Sequence, residues 1–369
     1  TSVSNSSMTF NYQVPNQSIL IDRHATITTT MTFDLALSTN AAAAANARLD
    51  RWAYGDAFGF NAFPFNSLVT DATLTLNNNS LSLSQNDIMF ALMKSLPIEF
   101  FQKYQGLSPS YPERYANVVD ARRANNGSGG NFFQANYNND LLPNGSFKLD
   151  SVSQINPNTS VVDATAGGPF PITYRIVITT TEPIFISPLL VSGGGSNSRA
   201  MYGLNNISLN LSLDSTASRA MWFTPFTTIK NPSSTNLATS ATTIAAASPL
   251  GISLVSISND AYLNFNLLSP QANQLLPSRC ILPHRSYDRF ITSGVNLAAG
   301  ATGAAQVLNT ISTNQIPSRI FIYARKRRSG AAGIPALGIN DLNWAASITN
   351  VSMQVNNSAT LLSQFTPNE

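Results

Sequence analysis

Charged side chains are scarce in this chain of 369 residues. Only 21 are Lys or Arg and 18 are Asp or Glu, which is 11% against about 25% in average soluble domains. Long solvated helices and coiled coils need Glu and Lys on their polar face, so the composition argues against both. Ser, Thr and Asn supply 116 residues, while hydrophobic residues still reach 43%. This combination favours β structure with a neutral surface of hydroxyl and amide groups.

Groups that could support catalysis or metal binding are also few. The single cysteine, Cys280, excludes an intrachain disulfide and a cysteine metal cluster, and its apolar context indicates a buried packing residue. The two histidines, His24 and His284, lie far apart in the chain, and we expect both in loops or interfaces. No apolar run reaches the roughly 18 residues of a transmembrane helix. Zinc-protease, EF-hand, phosphate-loop and dinucleotide motifs are missing. We therefore expect no enzyme activity, no metal and no cofactor.

Short strand-like runs are spread over most of the chain. Residues 18–37 form two such runs, Asn77–Asn79 predict a turn between two strands, and the spacing in 86–104 predicts a helix broken at Pro97. An alanine-rich helix is expected at 41–49 and a hairpin around 147–155. Many short strands with few helices indicate a β-sandwich architecture. Further strands are expected at 172–180, 183–191, 204–213, 250–257, 261–268, 279–283, 316–324 and 347–355.

The organisation of the chain is predicted from its composition shifts and one internal similarity. Residues 1–17 are polar and unpatterned, which indicates an N-terminal arm, and 105–170 form a long loop rich in Gly, Asn, Ser and Pro. The segment 71–80 resembles 349–358, because each is an alternating strand that ends in Asn-Asn-Ser. If these segments are the same strand in two copies of one domain, the first copy covers 18–215 and the second covers 216–369.

The one dense basic run follows a predicted strand and consists of Arg325, Lys326, Arg327 and Arg328. A solvated turn, a phosphate contact, a nuclear-import signal and a contact between subunits all fit four such residues. The net charge is only +3, so the sequence pI near 9.0 is a weak indication of nucleic-acid binding. Any contact with a genome is expected to be at most non-specific.

Four passages show a resemblance to one known family. They are 18–22 with 32–35, 63–68 followed by 74–80, 275–290 with 316–325, and 348–362. On these passages the chain resembles the major capsid proteins of the double jelly-roll lineage, which includes adenovirus hexon. Within that lineage it is most similar to those of small DNA viruses of the Polinton-like and adintovirus type.

The resemblance implies a mainly β fold of two antiparallel jelly rolls with a few short helices and long loops. It implies a structural protein of the virion that trimerises into pseudo-hexagonal capsomers and self-assembles into an icosahedral shell in the infected host cell. Its implied partners are copies of itself, penton and minor capsid proteins, and an internal membrane surface, with the basic run facing the lumen or a neighbouring subunit. The first copy extends about 130 residues beyond Ser80, to Leu213, whereas only 11 residues follow Ser358, so we expect the second roll to lack its closing strands.

Two other functions fit the same composition. One is a single jelly-roll capsid protein with a projecting domain, in which the Ser/Thr/Ala-rich stretch 231–248 is the linker. The other is a secreted β-sandwich adhesin or lectin, for which a Ca²⁺ or sugar site with clustered acidic residues is expected. The 18 acidic residues are scattered instead, which disfavours the second alternative.

Overall fold

The structure is a computed structural model whose described residues divide into two compact units. The first unit comprises those within Thr1–Tyr287, and the second comprises those within Asp288–Arg328 and Asp341–Glu369. The structure describes residues 1–39, 58–60, 63–96, 147–155, 170–190, 200–215, 217, 220–223, 229–230, 241–242, 251–271, 276, 280, 282, 284–292, 311, 317–323, 351–353 and 363–365.

The described residues are mainly in β-strands, with two short helices, which confirms the predicted fold class. The helices are α1 (Pro64–Leu68) and α2 (Gln85–Ser95). The strands are β1 (Ser2–Val3), β2 (Ser7–Gln13), β3 (Leu20–Ile21), β4 (Thr26–Thr39), β5 (Phe58–Phe60), β6 (Val69–Leu76), β7 (Asn79–Leu83), β8 (Phe147–Gln154), β9 (Phe170–Pro183), β10 (Asn206–Leu213), β11 (Met221–Phe223), β12 (Ile229–Lys230), β13 (Ala241–Thr242), β14 (Gly251–Ile257), β15 (Tyr262–Asn264), β16 (Leu267–Leu268), β17 (Val351–Met353) and β18 (Ser363–Phe365).

Two antiparallel sheets form the first unit. One has the strand order β1-β2-β10-β6-β7, and the other has the order β14-β4-β9-β8, with β15 also paired to β4. The chain changes sheet between β2 and β4 and again between β9 and β10, which is the connectivity of a jelly roll. Both sheets supply side chains to one hydrophobic core, so the unit is a two-layer sandwich.

The sandwich follows from strict alternation along its strands. In β10, Ile207, Leu209 and Leu211 are buried while the Asn and Ser residues between them face outward. At the centre of the core, the ring of Phe60 lies 5.3 Å from that of Phe33 and 5.4 Å from that of Phe147, centroid to centroid. Contacts at this distance between tilted rings add to the free energy gained by burial.

The turn between β6 and β7 forms where the asparagine triplet predicts it. Asn77 has a φ of 53°, in the left-handed region that Asn tolerates better than most residues. Its Oδ1 accepts a hydrogen bond from the Asn205 N–H at 2.7 Å, and its Nδ2 donates to the Gly203 carbonyl at 3.2 Å. Asn77 therefore also ties this hairpin to the segment that leads into β10.

A buried carboxylate fixes both helices to the end of β9. Glu182 is fully buried and accepts hydrogen bonds from the Phe65 N–H, the Asn66 N–H and the Asn66 Nδ2, at 2.8, 2.8 and 2.9 Å. Gln85, the first residue of α2, donates from Nε2 to Asn66 Oδ1 at 2.8 Å. The amides at the start of α1 therefore find partners away from water, as buried N–H groups must.

Several elements differ from the sequence prediction. Residues 1–17, expected to form an arm, contain β2, which lies between β1 and β10 and buries Met8 and Phe10. Met8, Phe10 and Tyr12 alternate with Ser, Thr, Asn and Gln along this strand, but the polar residues on either side of the strand led to the prediction of an unpatterned arm. The apolar run 183–191 predicted a strand, but Ile184–Leu190 form a buried irregular segment after β9. A continuous apolar run shows burial without specifying the backbone conformation.

Of the other predicted elements, some are present, one is irregular and three lie wholly or mostly outside the described residues. The strands predicted at 250–257 and 261–268 are present as β14, β15 and β16, and they pair with β4 and β3. Residues 317–323, expected within a strand, have no regular secondary structure. The alanine-rich helix at 41–49, the loop from 105 to 146 and most of the stretch 231–248 lie outside the described residues.

Candidate assembly surfaces

The outer face of the sheet that contains β2 is made of small neutral side chains. Its register aligns them in rows across four strands. We name this surface the hydroxyl–amide face; its rows are Asn11–Ser208–Thr75–Ser80, Thr9–Asn210–Thr73–Ser82 and Ser7–Ser212–Asp71.

Side chains of the hydroxyl–amide face are hydrogen-bonded to one another across strands. Thr9 Oγ1 donates to Asn210 Oδ1 at 3.1 Å, and Ser208 Oγ donates to Asn11 Oδ1 at 2.6 Å. Asp71 is the one charged residue in the rows. Such a surface carries little electrostatic repulsion against a copy of itself and has few long side chains to order on contact.

The outer face of the other sheet, the threonine face, is defined by Thr28 and Thr30 of β4 with Thr181 and Thr179 of β9. The hydroxyl oxygens of Thr28 and Thr181 lie 3.1 Å apart, and those of Thr30 and Thr179 lie 3.0 Å apart. Asn264 Nδ2 donates to Thr28 Oγ1 at 3.1 Å. Hydroxyl and amide groups carry no net charge, so this face is also neutral.

The charges beside the threonine face are paired. Arg175 Nε and Nη2 donate to the two carboxylate oxygens of Asp34, each at 2.8 Å. These hydrogen bonds, together with the attraction of the Asp34 charge, raise the pKa of Arg175. Lys148 Nζ lies 3.4 Å from Asp150 Oδ1. The charged groups of this sheet are therefore largely neutralised within the sheet itself.

A second group of polar contacts lies where β3 leads into β4. Burial raises the pKa of Asp22, but hydrogen bonds from the His24 N–H, the His24 ring and Asn266 outweigh it, so that the pKa is lowered overall. His24 Nδ1 and Asp22 Oδ1 are 3.1 Å apart. Arg23 is buried and donates from Nε to the Pro188 carbonyl at 2.7 Å. Burial lowers the pKa of Arg23, whereas the electrostatic effect of Cys280 raises it. Cys280 therefore lies near Arg23.

Large apolar side chains are exposed in both units, several of them at consecutive positions. In the first unit these are Ile155, Tyr262, Leu267 and Leu268, the last 64% exposed. In the second unit they are Phe290, Ile291, Ile311, Ile320, Phe321 and Ile322. Clusters of exposed apolar groups are typical of surfaces that other polypeptide covers.

The structure brings none of the singled-out residues into a catalytic arrangement within its described part. His24 pairs with Asp22, His284 is exposed and Cys280 is half-buried. Among the described residues, no group of three His, Cys, Asp or Glu side chains could hold a metal ion, and none of the helices is long and apolar enough to cross a membrane. The basic run Arg325–Arg328 lies outside the described residues.

Sequence reasoning anticipated a neutral surface without locating it. The signal was present in the alternation of TITTTMT (residues 26–32) and SMTFNYQ (residues 7–13), where every second residue is a small polar one. In each strand the apolar residues point into the core, and the polar residues between them form the opposite face of the sheet. Both surfaces can be identified from those polar residues.

The first unit is thus a jelly-roll sandwich with neutral outer faces, the type of module that packs against other polypeptide. Residues 1–268 match the family model of the Sputnik virophage major capsid protein first domain. Residues 287–369 match the model of the major capsid protein V20 C-terminal domain. The chain belongs to the family of virophage major capsid proteins, which confirms the predicted relationship to double jelly-roll major capsid proteins.

Two solved structures are similar to this chain. A chain of the Sputnik virophage, solved by cryo-EM at 3.5 Å, is 18% identical with a TM-score of 0.47, over 75% of this chain and 47% of that one. The mavirus major capsid protein, solved by crystallography, is 13% identical with a TM-score of 0.38, over 75% and 46%. The chain therefore spans about half the length of these relatives. No curated protein sequence matches it.

Proposed function

We propose that this chain is a building block of a virion shell. Copies associate into trimers of pseudo-hexagonal outline, and the trimers assemble into an icosahedral capsid in the infected host cell. The observation that carries this proposal is the match of residues 1–268 to the major capsid protein family. The neutral outer faces support it, because unpaired charge buried between copies is costly. The role is structural, without catalysis.

The domain organisation follows the same proposal. The first jelly roll, proposed from the sequence to cover 18–215, lies within the unit whose described residues fall in Thr1–Tyr287. The second roll, proposed to cover 216–369, includes the residues that the C-terminal-domain model matches. We expected the second roll to begin at 216; within that range β14 and β15 pair with β4 of the first sandwich.

Further partners are also proposed. Arg325, Lys326, Arg327 and Arg328 would face either the lumen or a neighbouring subunit, since a cluster of four cations suits phosphate groups or a carboxylate-bearing surface. The other proposed partners are penton proteins, minor capsid proteins and an internal membrane surface. A contact with the genome through this run would be non-specific, because no base-reading element accompanies it.

Size-exclusion chromatography with light scattering, followed by negative-stain imaging of the purified full chain, tests the proposal. A species of three times the chain mass of 39.6 kDa, or shells, is the expected result. A stable monomer that binds sugars would refute it in favour of the adhesin or lectin alternative.

A charge introduced on the hydroxyl–amide face tests whether that face lies between copies. Asn210→Lys should leave the free energy of unfolding within about 0.5 kcal/mol of wild type, as surface changes usually do. The substitution should reduce assembly at low salt. Assembly should recover at high salt, where repulsion between the added charges is screened. Asn259→Lys, in the exposed turn after β14, is the matched control. Equal assembly of the two variants would exclude this face as a contact.

A further inference from the structure

A short segment at the end of the first unit is fastened to the sandwich although it has no regular secondary structure. It comprises residues 280–287, of which Cys280, Leu282 and 284–287 are described. The two family models match 1–268 and 287–369, so nearly all of this segment lies between them. Its contacts are therefore not assigned by either model.

The segment makes one backbone attachment to a buried side chain. The Arg285 N–H donates to Ser187 Oγ at 2.9 Å, and Ser187 is only 8% exposed. Because a buried serine has little freedom to follow a moving partner, this bond holds Arg285 at a fixed place on the sandwich.

The part of the first unit that carries Ser187 is itself held firmly. The Ile184 N–H donates to the Ala25 carbonyl at 3.3 Å, and the Leu190 N–H donates to the Ile186 carbonyl at 3.0 Å. Arg23 Nε bonds the Pro188 carbonyl at 2.7 Å. The attachment point is therefore a packed element of the core and not a loop tip.

Apolar packing supports the attachment from both sides. Leu282 and Tyr287 are partly buried against the hydrophobic core of the first unit. One anchoring side chain precedes Arg285 and the other follows it, so the segment is held at three successive points. Three anchors within six residues leave little room for independent motion of the backbone.

We propose that residues 280–287 form a fixed connector, fastened at Ser187 and by the packing of Leu282 and Tyr287. This connector holds the point at which the chain leaves the first unit in one place. Ser187 is then a positioning residue, which acts through Arg285. The proposal does not depend on shell formation.

Hydrogen–deuterium exchange of the full chain, followed by mass spectrometry, tests the connector. In wild type the Arg285 amide should exchange more slowly than that of an unstructured peptide, because it donates to Ser187 Oγ. Ser187→Ala should speed its exchange about fivefold, which corresponds to one net hydrogen bond of roughly 1 kcal/mol. Leu282→Ala should also speed exchange of the Arg285 amide, because it removes an anchor of the segment without touching Ser187. Exchange in β4 and β9 should not change in either variant.

A matched serine provides the control. Ser258 Oγ accepts a hydrogen bond from the Asp260 N–H at 3.2 Å in the turn after β14, so Ser258→Ala removes the same kind of bond. It should alter exchange in its own turn and leave 284–287 at the wild-type rate. Wild-type exchange of the Arg285 amide at the free-peptide rate would overturn the proposal. An unchanged rate there in both Ser187→Ala and Leu282→Ala would overturn it as well.

Discussion

Replacing Glu182 with glutamine should destabilise the first unit, because its carboxylate accepts three hydrogen bonds in a fully buried site. One oxygen receives the Phe65 N–H, and the other receives both the backbone N–H and the side-chain amide of Asn66. A glutamine side chain has one acceptor oxygen, so its NH₂ group must face at least one of these donors.

The magnitude follows from those contacts. A buried N–H left without a partner costs about 1–3 kcal/mol, and the remaining bonds lose the added strength that an ionised acceptor gives. A neutral amide is easier to bury than a carboxylate, which offsets part of the loss. The net decrease in the free energy of unfolding should be about 2–4 kcal/mol.

Urea unfolding of the full chain, followed by circular dichroism, measures this difference. The change should appear as a lower midpoint with an unchanged slope, since the surface exposed on unfolding stays the same. Asp71→Asn makes the same chemical change on the exposed hydroxyl–amide face and should stay within about 0.5 kcal/mol of wild type. If Glu182→Gln is as mild as Asp71→Asn, the carboxylate does not hold α1 in place.

Three further substitutions have defined outcomes. Asn77→Ala should lower the free energy of unfolding, measured in urea, by about 1–2 kcal/mol. Asn77→Gly should lower it less, because glycine tolerates the positive φ and only the side-chain hydrogen bonds are lost. Equal losses in the two variants would contradict this. Asp22→Asn should destabilise the chain near pH 7, because a lowered folded pKa contributes stability above the unfolded value of about 3.9. That difference from wild type should vanish as the pH falls through the folded pKa, and one that persists in acid would rule out the pairing with His24. Thr29→Val should raise the unfolding midpoint, because within the described residues the buried Thr29 Oγ1 has no hydrogen-bond partner; a lower midpoint would show that the hydroxyl is satisfied.

The elements that the sequence predicts well are those with a strong local signal. The alternation of β10 predicts both its type and its buried side, and Asn77 marks the turn before β7. The helix predicted from residue 86 is present as α2, which begins one residue earlier, at Gln85. Local patterns of this kind depend on neighbouring residues alone.

The features that the sequence did not reveal depend on contacts between distant residues. Glu182 lies 117 positions from Phe65, and nothing near either residue indicates that they meet. β2 is similar: its two buried apolar residues are too few to predict a strand until β10 is beside it. The anchor between Ser187 and Arg285 spans 98 positions. Tertiary packing decides these cases, and a single sequence contains no local record of it.

The pairing of β2 with β10 also determines when the first unit can fold during synthesis. Ser208 lies 197 positions after Asn11, its partner in the sheet. A ribosome adding about 5–20 residues per second needs about 10–40 s to cover that distance. Over that interval β2, which carries Met8 and Phe10, lacks its partner β10 and can pair only with the two-residue β1. β2 is therefore among the last strands of the first sandwich to enter its sheet, and its apolar side chains stay open to non-native contacts until β10 has been synthesised.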